Sequence, residues 1–135
     1  MNPMTNDSGE FRHVYVSIFP TLFRIAYRIT GDKTAAEDLC QEAFIKYLER
    51  TKPLPTIDQA KYWLIRVVHN LSLNFEKRRN RERRAVGRLK LQPTRENPTA
   101  ESELLKSEST TLVQSALEKI PYKLRTVLVL REYAD

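Results

Sequence analysis

Apolar residues recur every three or four positions along most of the chain, which is the period of one face of an α-helix rather than of a strand. The period runs from Phe11 to Ile29 and from Ala36 to Leu48, and it returns from Ala60 to Phe75. Only three glycines are present, and 41% of the residues are apolar, which is compatible with a packed core. The pattern therefore predicts an all-α protein.

Two residues interrupt the period in the N-terminal part of the chain. Pro20 marks either a kink or the first turn of a second helix, because proline lacks the backbone N–H. Gly31 ends this helical segment. The next helix can start at Asp32 or at Thr34, since Thr34 to Glu37 fits a capping box, in which a hydroxyl and a carboxylate satisfy free N–H groups. Its predicted buried stripe comprises Ala36, Leu39, Cys40, Ala43, Phe44, Tyr47 and Leu48.

Two prolines, Pro53 and Pro55, break the period again and predict a loop over residues 51–56. A longer third helix is expected to begin near Asp58 and to run past Phe75. Its apolar side comprises Ala60, Trp63, Leu64, Val67, Val68, Leu71 and Phe75. Its C-terminal end is strongly basic.

The last third of the chain predicts a linker over 87–97 and two short helices, one after Asn97-Pro98 and one after Pro121. Two such helices are too small to bury a core of their own. Their apolar residues should pack on the Phe11–Phe75 core, pair with another chain or stay mobile, and we favour docking or self-association. The residues concerned are Leu112, Leu117, Leu124, Val127 and Leu128.

The net charge of +6 is unevenly distributed along the chain. Residues 1–50 carry six Lys or Arg against seven Asp or Glu, and residues 93–135 again carry six against seven. Residues 51–92 carry eleven against three. Positive charge concentrated in this way favours a local polyanion-binding site over general solubility.

Targeting and redox features are few. No apolar run approaches the roughly 20 residues of a membrane span, and the first ten residues lack the apolar core of a signal peptide. We therefore expect a cytoplasmic protein without membrane insertion. The single cysteine, Cys40, cannot form an internal disulfide and lies among apolar positions, so we expect a buried thiol.

A catalytic site has little support in the sequence. The two histidines, His13 and His69, are far apart and neither has metal-ligand spacing or a neighbouring nucleophile. There is also no glycine-rich loop that could hold phosphates. We predict no catalytic residue, no cofactor and no metal; His69 is either a surface residue or a residue that faces DNA.

An acidic cluster lies on the predicted second helix, opposite its buried stripe. It comprises Glu37, Asp38, Gln41 and Glu42. One interpretation is a solvated helix face whose carboxylates favour the positive end of the helix dipole. The other is a compact negative patch that binds a partner.

A second constellation combines aromatic, amide and cationic side chains on the third helix: Tyr62, Trp63, Arg66, Asn70 and Asn74, followed by Lys77, Arg78, Arg79, Arg81, Arg83 and Arg84. Aromatic faces beside cations suit unpaired bases. Trp63 also lies on the apolar stripe, so it packs in the core, contacts DNA or does both. The six basic residues could cap a solvated helix end, but six exceed what capping needs, and we prefer phosphate binding.

Two of these segments resemble region two of extracytoplasmic-function sigma factors. They read AEDLCQEAF at residues 36–44 and YWLIRVVHN at residues 62–70, in the family's order and spacing. A third segment, ALEKIP at residues 116–121 with LREY at 130–133, looks like the opening of region four. The resemblance implies a compact helical region-two domain over 8–86, a linker over 87–97 and the start of region four over 98–135.

The resemblance also implies roles for individual residues. Asp38, Gln41 and Glu42, with Glu37 beside them, would bind the clamp coiled coil of the largest RNA polymerase subunit. The third helix would bind the promoter −10 element, with Asn70 at the position that captures a flipped base. The basic end would hold phosphates, and an anti-sigma protein would be a further partner.

The helix-turn-helix that reads the −35 element in this family would follow Asp135, so we expect a fragment truncated within region four. The expected activity is to bind RNA polymerase core, direct it to −10 promoter DNA and help to melt that DNA. The alternatives are a non-sigma helical nucleic-acid-binding regulator and a protein-interaction adaptor whose basic run is inert. An enzyme ranks last.

Overall fold

The structure, a computed structural model, describes residues 8–86 and 108–133. These residues form five helices: α1 (Ser8–Thr30), α2 (Lys33–Glu49), α3 (Ile57–Val86), α4 (Glu108–Glu118) and α5 (Tyr122–Tyr133). No strand occurs in these two ranges, which confirms the all-α prediction. The predicted linker over 87–97 and the predicted helix start at Asn97-Pro98 lie outside the described residues.

α1 is one continuous helix, and Pro20 lies inside it. Of the two predicted alternatives, a kink or the first turn of a second helix, the second does not occur. The apolar face continues on both sides of the proline, from Val14 and Ile18 to Leu22 and Ile25, and packing of this face offsets the missing hydrogen bond. The proline ring itself is exposed.

The turn between α1 and α2 depends on two adjacent residues. Gly31 has a φ of +70°, a left-handed conformation that glycine adopts without steric cost, and its N–H donates to the Tyr27 carbonyl at 2.7 Å. Asp32 is the N-cap of α2, where its side chain accepts from the Ala35 N–H at 3.0 Å. Of the two predicted starts, the structure has the one at Asp32.

Residues 50–56 form the predicted loop, and α3 begins at Ile57. The Thr56 hydroxyl accepts from the Gln59 N–H at 3.1 Å, so it satisfies one of the free donors at the start of α3. The helix continues for 30 residues to Val86, well past the end of its apolar stripe. The prediction of a long third helix with a basic end is confirmed.

The core lies where α1, α2 and α3 pack against one another. Its largest fully buried side chains include Leu22, Ile25 and Ile29 of α1 and Leu64 and Val68 of α3. Cys40 of α2 is buried among them as a free thiol, as predicted. On α3 the buried face also includes Ile65, Ser72 and Glu76, which the apolar pattern did not single out.

The α4–α5 pair docks on this core. Val129 of α5 is 2% exposed within the core cluster, and half-buried Leu117, Leu130 and Tyr133 pack against that cluster. The structure thus has the docked arrangement. However, four of the five apolar residues for which we expected docking, self-association or mobility remain 46–67% exposed: Leu112, Leu124, Val127 and Leu128. None of the described helices has the length and apolar character needed to cross a membrane.

Candidate functional site

The acidic cluster occupies an exposed face of α2. Glu37, Asp38, Gln41 and Glu42 are all exposed. The first turn of α2 contains no acidic residue, because the helix starts at Lys33 and is capped by Asp32. The dipole effect fades beyond the first turn, so helix-end electrostatics do not account for this cluster. Ile45 lies on the same face, 55% exposed, and adds an apolar contact surface to the carboxylates.

Cys40 lies on the opposite, buried side of α2. Burial raises the pKa of its thiol to about 12, and the negative charge of Glu37 adds to the rise. A thiol in this state stays protonated near neutral pH and is a poor nucleophile or metal ligand. Cys40 therefore supports the helix that carries the acidic cluster, and it has no chemistry of its own there.

The exposed side of α3 displays Tyr62, Arg66, Asn70 and Asn74, each one turn after the last. Side chains four residues apart stack along one side of a helix, so these four form a continuous stripe. Tyr62 is 59% exposed, which leaves a ring face available for stacking. The structure therefore brings together four of the five residues that the sequence predicted for this part of the site.

Trp63, the fifth residue, is half-buried against the end of α2. Its ring lies 6.1 Å from the ring of Tyr47, centroid to centroid. The guanidinium carbon of Arg50 lies 5.3 Å from the Trp63 ring centroid and 5.2 Å from that of Tyr47. Both distances are within the range of cation–π contacts. Trp63 thus has the packing role that the apolar stripe predicted. The Arg50 guanidinium lies against its ring.

Five of the six basic residues near the end of α3 are exposed: Lys77, Arg78, Arg81, Arg83 and Arg84. Arg79 differs, because it donates to Glu76 Oε2 at 2.6 Å and to the Thr30 carbonyl at 2.7 Å. Its guanidinium also lies 5.2 Å from the centroid of the Phe75 ring. Arg79 thus caps the C-terminal end of α1, where a cation complements the helix dipole.

Glu76 joins α3 to the docked helix pair. It is 4% exposed, and its Oε1 accepts from Arg125 of α5 at 3.2 Å. Burial raises the pKa of the Glu76 carboxyl above its ordinary value, and the guanidinium groups of Arg79 and Arg125 limit that rise. Burial likewise lowers the pKa of Arg125. One signal in the sequence could have revealed Glu76: it follows Leu64, Val68 and Ser72 at four-residue intervals.

Further hydrogen bonds join both helices of the α4–α5 pair to the end of α1. Arg28 Nη1 donates to Gln114 Oε1 at 2.9 Å, and Arg28 Nε donates to the Tyr133 hydroxyl at 3.3 Å. Gln114 Nε2 in turn donates to Glu118 Oε2 at 3.0 Å. Because Arg28 and Gln114 are both buried, these hydrogen bonds fix where the helix pair docks.

Within residues 8–86 and 108–133, no group of three His, Cys, Asp or Glu side chains is arranged to hold a metal ion. The exposed surface of these residues has two faces of different composition. One, on α2, is acidic with an apolar residue at its edge. The other, along α3, combines an aromatic ring and amides with cations.

The sequence comparisons with known proteins all indicate the same family. The sequence model of Sigma-70 region 2 matches residues 14–82. The ECF RNA polymerase sigma factor SigE of Mycolicibacterium smegmatis is 32% identical over 110 residues, which cover 81% of this chain and 42% of that protein. The ECF RNA polymerase sigma factor SigL, in three strains of Mycobacterium tuberculosis, is 30% identical over 123 residues, which cover 90% of this chain and 68% of SigL.

The chain thus spans less than half the length of SigE and about two thirds of that of SigL. No solved structure gives a significant match. The match to region 2 covers α2 and most of α1 and α3, and it includes the two helices that carry the exposed faces, α2 and α3. The chain therefore belongs to the sigma-70 family of RNA polymerase sigma factors, and its relatives are extracytoplasmic-function members.

Proposed function

We propose that this chain acts in transcription initiation as a sigma factor, by binding RNA polymerase core through α2 and the promoter −10 element through α3. The observation that carries the proposal is the separation of the two exposed faces. The acidic residues of α2 repel nucleic acid and suit a basic protein surface, whereas the cations of α3 suit phosphates. One protein can therefore hold polymerase and DNA at the same time.

On the polymerase side, Asp38, Gln41 and Glu42 make the principal contacts, with Glu37 next to them. Their partner is the clamp coiled coil of the largest subunit. Carboxylates at the edge of an interface speed association and fix how the two partners align. Leu39 and Phe44, both buried, hold the helix in place rather than touch the partner.

On the DNA side, the stripe of α3 binds an unpaired strand. Asn70 reads the edge of one flipped base, since a side-chain amide both donates and accepts hydrogen bonds. Tyr62 offers a stacking surface. The exposed basic residues from Lys77 to Arg84 hold phosphates, which adds affinity without sequence choice. These contacts offset the cost of opening base pairs, and no catalytic step is assigned to this chain.

The α4–α5 pair corresponds in this proposal to the opening of region four, within a division into 8–86, 87–97 and 98–135. The setting is the cytoplasm, where polymerase acts. An anti-sigma protein that covers either exposed face would regulate the chain by blocking polymerase or DNA.

Charge reversal on α2 tests the polymerase contact. Asp38→Lys combined with Glu42→Lys should weaken binding to polymerase core tenfold or more, because like charges would then face each other. The matched control is Glu10→Lys with Glu132→Lys, which changes the net charge equally at exposed positions on α1 and α5. Affinity is measured by titration of labelled protein with core. Equal loss in both double variants would show a general charge effect and would contradict the proposed contact.

A further inference from the structure

Arg50, at the C-terminal end of α2, stands out among the arginines that the structure describes and that are not exposed. Three of these, Arg28, Arg79 and Arg125, donate hydrogen bonds to side-chain or backbone oxygens. In the described ranges the Arg50 guanidinium donates no hydrogen bond and forms no ion pair, and its Nη2 is buried without an acceptor. Among the described residues, Arg50 is thus a cation without a counter-charge.

This cation is nevertheless held in a fixed place. Two aromatic rings, those of Tyr47 and Trp63, lie within 5.3 Å of the guanidinium carbon. Contacts of this kind orient a guanidinium without using its N–H donors. The residue as a whole is half-buried.

The location of Arg50 indicates what the ligand is. Trp63 follows Tyr62, the first residue of the exposed stripe on α3, and Asn70 lies about 10 Å further along the helix. Planar guanidinium groups bind phosphate oxygens well, often through two N–H groups at once. Cations beside aromatic rings are typical of surfaces that follow single-stranded nucleic acid.

We infer that Arg50 binds a backbone phosphate of the single strand whose bases reach the N-terminal half of α3. The inference rests on the proposed function, because it requires a nucleic-acid strand along α3. It extends the DNA-binding face from α3 to the end of α2. Arg50 contributes affinity that does not depend on base sequence, and it leaves base choice to Asn70.

The test is a salt series with a short fluorescent oligothymidylate and the full chain, in which binding is followed by anisotropy. Loss of one phosphate contact should reduce the slope of log affinity against log salt concentration by about 0.7. Arg50→Gln should show this reduction, whereas Arg50→Lys, which keeps the charge, should keep the slope. The matched control, Arg24→Gln, removes an exposed arginine of α1 and should leave the slope unchanged.

Trp63 adds a local readout, because it is the only tryptophan of the chain. Its emission should change when the oligonucleotide binds, and this change should be smaller in Arg50→Gln. A purely structural role would lower the affinity or the melting temperature of Arg50→Gln and leave its salt slope equal to that of the unaltered chain. That result would overturn the inference.

A separate variant distinguishes failure of the inference from failure of the proposed function. Asn70→Ala should lose preference for a −10 strand over oligothymidylate while keeping the salt slope. An unchanged preference would refute the −10 assignment, whereas the slope of Arg50→Gln would still decide the phosphate contact. Absence of binding by the unaltered chain to either oligonucleotide would overturn both.

Discussion

Docking of the α4–α5 pair buries Val129, and removing part of this side chain should weaken the docking. Val129→Ala deletes two methyl groups from a side chain that is 2% exposed. At about 0.8 kcal/mol for each buried carbon, plus a term for the cavity, docking should lose about 2 kcal/mol. This loss shifts the docking equilibrium about 30-fold toward the form in which the α4–α5 pair is undocked.

Val127 provides the matched control, because it lies on the same helix two residues away and is 60% exposed. Val127→Ala should change stability by less than about 0.5 kcal/mol. Both variants keep the charge and helical character of α5, so a difference between them reports burial alone.

Native-state hydrogen exchange measures the outcome. In Val129→Ala the amides of α5 should exchange about 30-fold faster, whereas the inner amides of α1 and α3 should keep their rates, because segments open locally with their own free energies. Polar contacts such as Arg28–Gln114 and Glu76–Arg125 are typical of interfaces that separate without global unfolding. Equal acceleration in all helices would refute this reasoning, since it would make α5 part of one cooperative unit with the core.

Two further predictions follow from the titratable groups. Because burial raises the pKa of Cys40 to about 12, thiol reagents should fail to label the folded chain near neutral pH and should label it once denaturant unfolds it; rapid labelling of the native chain would contradict its burial. Because the folded pKa of Glu76 is raised above its ordinary value of 4.5, stability from this group is full below that pH and is lost as pH rises through the folded pKa. The free energy of unfolding, measured by urea titration relative to Glu76→Gln, should therefore fall with rising pH; a rise would mean that the pKa is lowered instead.

The helices of the core could be predicted because their signals are local. Apolar residues at helical spacing, the Gly31 stop and the two prolines in the 51–56 loop each act over a few residues. Where two local signals competed, tertiary structure decided between them. Asp32 caps α2 although Thr34 also fits a capping pattern, and Pro20 stays within α1 because the helix buries the same face on both sides.

The docking of the helix pair could be predicted only in outline. The size of two short helices shows that they need a partner, but which residues meet that partner depends on contacts far apart in the sequence. The pair docks through Val129 and through hydrogen bonds of Arg125 and Gln114. Side chains with polar ends were not candidates for an interface when only the apolar pattern was considered.

Positive charge on the proposed DNA-binding face is likewise only partly predictable from the sequence. Counting from Lys77 to Arg84 gives six cations, yet Arg79 is occupied by Glu76 and the end of α1. Arg50, which lies outside that run and before the proline loop, has no carboxylate partner in the described ranges and is oriented by two rings. A cation releases counterions from DNA only where it neutralises a phosphate, and a carboxylate partner competes for that role. The cations available to a nucleic acid therefore depend on tertiary pairing, which a count of charges along the sequence does not show.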